Sequence, residues 1–145
     1  MRESWDSYFI SIAHSVSCRS TCLSNQVGAV IVRDKRILAT GYSAPPSGDA
    51  HCTDLGFCYP GVPLCGESTQ PSRAIHAEAN AIGQCAAYGI PTKGSTLYVT
   101  LQPCINCLKL CLAAGIHDII YARPHSKPST LFDHIIQQRQ HDAND

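Results

Sequence analysis

Three side chains that can ligate a metal sit at two places where this chain starts a helix, and a metal shared between them would force those two starts together. Cys104-Ile-Asn-Cys107 follows Pro103 and opens an apolar run to Ala114 that Gly115 closes. Cys-x-x-Cys in a first helical turn puts two thiols on one side. Proline fits just ahead of that turn, where its missing N–H costs nothing. The partial positive charge of the helix start favours the thiolates that zinc needs. Upstream, His76-Ala-Glu78 opens a second helical segment that runs to Tyr88, with Gly89 and Pro91 beyond it. His76, Cys104 and Cys107 make three protein ligands, and a fourth position for water marks a catalytic zinc rather than a closed structural one. Glu78 can face the same pocket without ligating and there carry protons. A purely structural Cys/His site would want a fourth protein ligand and has no need of Glu78.

The remaining composition narrows the partner. Lys plus Arg number 11 and Asp plus Glu 11, so the formal charge is zero. Nucleic-acid binders usually carry a basic excess, and its absence favours a small-molecule partner. The N-terminus, MRESWDSYFISIAHSV, has mixed charge and lacks the apolar core and cleavage site of a signal peptide. No stretch approaches the ~20 apolar residues that span a bilayer. A soluble, cytoplasmic protein without membrane or nucleic-acid partners is the expectation. Nine cysteines are an odd count, and in a reducing compartment they point to metal ligands or buried thiols rather than disulfides.

Periodicity predicts a helix over Trp5–Ser17, a hairpin from Val27–Val32 and Arg36–Tyr42, and a helix from His76 to Tyr88. A strand over Thr96–Thr100, a helix from Cys104 to Ala114, a strand over Asp118–Tyr121 and a last amphipathic helix from about Ser129 to Gln140 follow. Residues 43–73 are rich in Gly, Pro, Ser and Cys and show no period. Such a loop is usually functional or clamped by metal. Residues 141–145 read as a frayed tail. Alternation of strands and helices in the second half implies parallel neighbours. The fold class is α/β, a mixed sheet covered by helices, in a single domain over 1–145.

The pair His-x-Glu and Pro-Cys-x-x-Cys is the signature of zinc-dependent nucleobase deaminases. Together with Trp5-Asp6, Tyr8-Phe9, Gln26–Val32, Gly41-Tyr42, Pro46-x-Gly48, His51-Cys52, His76–Ile82, Gly94–Thr100 and Ala114–Ile116, it makes the chain resemble the cytidine and deoxycytidylate deaminase superfamily. The long cysteine-bearing loop and the His-Ala-Glu-x-Asn-Ala-Ile string resemble its dCMP deaminase branch. The resemblance implies a three-layer α/β/α sandwich of the cytidine deaminase type. It implies hydrolysis of dCMP to dUMP and ammonia, which supplies thymidylate synthesis. It also implies a homohexamer regulated by dCTP and dTTP, with magnesium accompanying the nucleotide effector. By position, Ala77 would meet the base edge with its backbone, and Asn25 and Ser43 would approach the nucleotide.

The chain departs from the family at Gly41-Tyr42-Ser43-Ala44, where the family has Gly-Tyr-Asn-Gly, and at Ser24, where relatives often carry a basic residue. Phosphate would then fall to Arg19, Arg73 or a neighbouring subunit. The chain ends soon after the last predicted helix, so the family's final strand is expected to be missing. A second, structural zinc is implied by Cys22 and Cys52, with Cys58 or Cys65 from the loop and His51 adjacent; buried or free thiols are the alternative. Cys18, Cys85 and Cys111 read as core thiols. His14, His117, His125, His134 and His141 read as surface or satisfied histidines, and Tyr42, Tyr59 and Tyr98 as packing residues. The competing readings are a deaminase of dCTP, cytidine or an adenine-type base, and a non-catalytic zinc- and nucleotide-binding subunit.

Overall fold

The computed structural model describes residues 1–58, 60 and 72–142. Helix α1 (Trp5–Ser17) is capped by Ser4, whose hydroxyl accepts from the Ser7 N–H at 3.1 Å. Strands β1 (Gly28–Arg33) and β2 (Arg36–Tyr42) form the predicted hairpin. Its two-residue loop, Asp34-Lys35, takes φ of 54° and 61°, the left-handed pair that matches the twist of paired strands. The short helix α2 (Cys52–Leu55), helix α3 (Ala77–Ala87), strand β3 (Thr96–Leu101), helix α4 (Ile105–Ala113), strand β4 (Asp118–Arg123) and strand β5 (Gln137–Gln140) follow.

The five strands form one sheet in the order β2-β1-β3-β4-β5. β1 runs antiparallel to β2 and β3, while β3, β4 and β5 are parallel. Side chains alternate across the sheet as a period of two requires. Val30, Val32, Tyr98 and Ile120 face α1, where Phe9, Ile10 and Ala13 cover them. Ala29, Ile31, Leu97, Val99 and Ile119 face the other way, onto Ala77, Ala81 and Cys85 of α3 and Leu108 and Cys111 of α4. Helices therefore lie on both faces, giving the expected α/β/α sandwich.

The segment after β4 corrects the sequence expectation. Residues 131–135 form turns, and Gln137–Gln140 is a strand beside β4, so the final strand is present and the predicted helix over 129–140 is not. Leu131, Phe132, Ile135 and Ile136 mimic a helical stripe. Ile136 is buried, Phe132 packs against the core, and Leu131 and Ile135 are exposed. The Gln137 N–H donates to the His117 carbonyl and the His141 N–H to the Tyr121 carbonyl, each at 2.8 Å. Residue 141, expected to fray, thus continues the pairing; 143–145 lie outside the described residues. Among the described residues no helix is long and apolar enough to cross a membrane.

Candidate metal and catalytic site

Two helix starts converge beside the carboxyl ends of the parallel strands β3 and β4. The base of the long loop is closed by Ala44 and Ile75, whose backbones exchange hydrogen bonds at 2.8 and 3.3 Å. α3 then lies against β2 at Gly41. A Cβ there would meet the Ala77 carbonyl and sit 2.5 Å from the Ala81 nitrogen, so only glycine permits this approach. His76 and Cys104 are the N-cap residues of α3 and α4, both with extended backbone. Asn80, one turn into α3, donates to the Tyr42 carbonyl at 2.6 Å and fixes the helix against the end of β2.

This placement sets His76 Nδ1 3.6 Å from Cys104 Sγ and 3.3 Å from Cys107 Sγ. Zinc bonds of about 2.0–2.1 Å to nitrogen and 2.3 Å to sulfur at a tetrahedral angle imply an N···S edge of ~3.6 Å. One imidazole and two thiols at these separations fit zinc. Among the described residues no other group of three His, Cys, Asp or Glu ligand atoms lies within 4.8 Å of one another.

The electrostatics match the donor set. Cys104 is pulled down to about 3, first by its hydrogen bond with Cys107, then by that with His76. Cys107 is pushed up, first by the same bond to Cys104 and then by burial. The two thiols are therefore coupled and titrate as a pair. His76 is raised, chiefly by its hydrogen bond to Cys104. Glu78 is 4% exposed. Burial is the largest influence on its carboxyl and raises it above the ordinary range, against the pull of its own backbone N–H, His76 and a hydrogen bond with Cys107.

The site opens into a cavity of about 110 Å³ lined by Glu78, Ala77, Asn25, Ser43, Gln102 and His125, among others. A model of the cytidine and deoxycytidylate deaminase zinc-binding region matches residues 3–123. The chain belongs to this family. A 135-residue match at 44% identity to ComE operon protein 2 of Bacillus subtilis covers 91% of the chain and 68% of that protein. Deoxycytidylate deaminase of Mycobacterium phage D29 is 40% identical over 126 residues, covering 84% of the chain and 97% of the phage protein. The apo structure of dCMP deaminase from cyanophage S-TIM5 superposes with a TM-score of 0.77 at 25% identity, over 97% of this chain and all (100%) of that one. Zinc is thus supported both by the family and by the His/Cys/Cys cluster.

The remaining expectations fare unevenly in this family member. Ala77, Asn25 and Ser43 all line the cavity. The Ser43 hydroxyl is already engaged, donating to the Asn25 carbonyl at 2.6 Å and accepting from the Val27 N–H at 3.0 Å. These bonds hold it in place in the cavity wall. Cys22, Cys52 and Cys58 are buried and form no three-ligand cluster among the described residues; Cys65 and Tyr59 lie outside the described residues. Cys52 and Cys58 both meet Arg73, whose guanidinium donates to Cys52 Sγ at 3.5 Å and whose backbone N–H donates to Cys58 Sγ at 3.3 Å. Arg73 also pairs with Asp49 at 2.8 Å and donates to the carbonyls of Ala50 and Cys58. It clamps the loop and is not disposed to hold phosphate. Cys85 and Cys111 are core thiols as expected, but Cys18, at the end of α1, is exposed. Tyr98 is a packing residue, with its hydroxyl donating to Asp6 at 2.7 Å.

Two lining residues escaped the sequence reading. Gln102, next to Pro103, accepts from the His125 N–H at 3.2 Å and donates to Gln138 at 3.1 Å. His125, which by sequence reads as a surface or satisfied histidine, forms part of the cavity wall. The signal for both lay in β3 and β4 being parallel neighbours, which brings the residues just past their ends together. A larger groove of about 960 Å³ runs between Asp6, Tyr98 and the β4–β5 segment and has no metal-ligand trio among the described residues.

Proposed function

We propose that this chain hydrolyses dCMP to dUMP and ammonia at a zinc held by His76, Cys104 and Cys107. The observation that carries this reading is the Glu78 carboxyl, buried with a raised proton affinity in the cavity that His76 and Cys104 also line. Zinc, when bound, supplies Lewis-acid activation of a water. Glu78 takes one proton of the attacking water and passes it to the ring nitrogen beside the reacting carbon. It then takes the second proton from that same oxygen and hands it to the departing amine, leaving the keto base and ammonia. A carboxyl shifted toward neutrality suits both directions of transfer. The Ala77 backbone lies at the base edge, with Asn25 and the wall built on Ser43 nearby.

The relatives named deoxycytidylate deaminase support dCMP as the substrate. The cavity volume of about 110 Å³ is well below the ~300–1,000 Å³ of pockets for drug-sized ligands, which suits a single base with sugar and phosphate toward the mouth. Residues 1–145 acting as one domain, hexamer assembly, control by dCTP and dTTP with magnesium, and a cytoplasmic location extend this reading by resemblance. Sedimentation with and without dCTP and magnesium tests the assembly.

The deciding experiment is ammonia release by the zinc-loaded protein from dCMP, dCTP, deoxycytidine, CMP and dAMP offered separately. Turnover of dCMP above all others is expected. Preference for another compound would move the substrate, and no turnover with retained zinc and nucleotide binding would leave a non-catalytic binding subunit.

A further inference from the structure

Resting on that reading of the site, we propose that His125 is a specificity residue whose Nε2–H binds the 5′-phosphate of the nucleotide. The cavity needs such a group. Its described lining contains no Lys or Arg, and Arg73, just outside, is spent on Asp49, the Ala50 and Cys58 carbonyls and Cys52 Sγ. The Ser43 hydroxyl is likewise committed.

His125 has one ring nitrogen in use and one to spare. The Lys127 N–H donates to Nδ1 at 3.0 Å. A backbone N–H can only donate, so Nδ1 is bare and the ring proton sits on Nε2. Among the described residues no hydrogen bond engages Nε2. The backbone of His125 is also anchored, because its main-chain N–H donates to Gln102 and Gln102 is itself held by Gln138. A donor fixed in tautomer and backbone position is pre-organised for an acceptor in the cavity.

The surroundings favour an anion. His125 lies in Arg123-Pro-His-Ser-Lys127, between two exposed cations and with no carboxylate in the segment. It is half-buried, in the segment after β4, whereas the chemistry sits at the starts of α3 and α4. The metal ligands and Glu78 claim the reacting end of the base, so His125 meets the other end of the nucleotide. A hydrogen bond to a charged phosphate oxygen is among the stronger kinds.

The test is calorimetric binding of dUMP and of deoxyuridine, neither of which turns over, to the zinc-loaded protein and its His125→Ala and His125→Gln variants. Loss of one charge-assisted hydrogen bond predicts dUMP binding weakened about 10- to 100-fold by His125→Ala, with deoxyuridine binding unchanged and His125→Gln, which keeps an N–H donor, intermediate. Equal weakening of both ligands, or dUMP affinity within about twofold of the parent, would overturn the proposal. Unchanged zinc content and melting temperature separate a binding loss from misfolding. The outcome is independent of the reaction itself. A protein that binds dUMP through His125 yet releases no ammonia from dCMP would sink the proposed activity and keep this inference.

Discussion

Glu78 and its neighbours show how much one position decides. Its carboxyl is buried for proton traffic, and its side chain is not needed to hold metal in the arrangement proposed here. Glu78→Gln should therefore retain zinc by metal analysis while turnover falls at least ~10²–10⁴-fold, the span of a lost general acid–base. Normal activity in that variant would remove the mechanism. Cys104→Ser removes one of the two thiols that fit zinc, so zinc and activity should disappear together on gel filtration. The chemistry of these residues was legible because ligand type and spacing are written in the chain. The duties of Ser43, Arg73 and His125 were not, because each depends on which hydrogen-bonding groups the fold has already brought near.

Among the elements, those with a strong side-chain rhythm were readable: α1, the β1–β2 hairpin, α3, β3, α4 and β4 all formed within a few residues of their expected limits. β5 was hidden. Gln137-Gln-Arg-Gln140 has no apolar alternation, and its strand state comes from backbone pairing to β4, which no local pattern announces. Gly41 is the element-scale position on which the site turns, because the whole start of α3 rests on it. Gly41→Ala should lower stability by ~1–3 kcal/mol, as overpacking does, and weaken zinc binding as well. Chemical denaturation with zinc titration measures both. A variant with parental stability and affinity would show that α3 yields more easily than the close approach implies.

Across the whole molecule, the first helix and the last strand are tied by charge. Asp6 accepts from Tyr98 at 2.7 Å and from Arg139 of β5 at 2.5 Å. Burial acts to raise its carboxyl, but the Tyr98 bond, the Arg139 bond and the Arg139 charge outweigh it and leave the proton affinity below the ordinary value of 3.8. A depressed carboxylate contributes stability above its unfolded value and loses it as pH falls through the folded one. The parent should therefore be more stable than Asp6→Asn at neutral pH, with the gap closing below about pH 4. Melting curves at a series of pH values check this, and a gap independent of pH would break the link.

The metal ligands belong to two different helices, 28 positions apart in the chain from His76 to Cys104. An ion bridging them binds the folded form and not the scattered ligands of an open chain, so its free concentration weights the folding equilibrium. In a cell, proteases act on whatever fraction is open. Scarcity of zinc would then shorten the life of the polypeptide as well as idle its active site. The amount of this protein would itself become a record of the metal supply it has lived through.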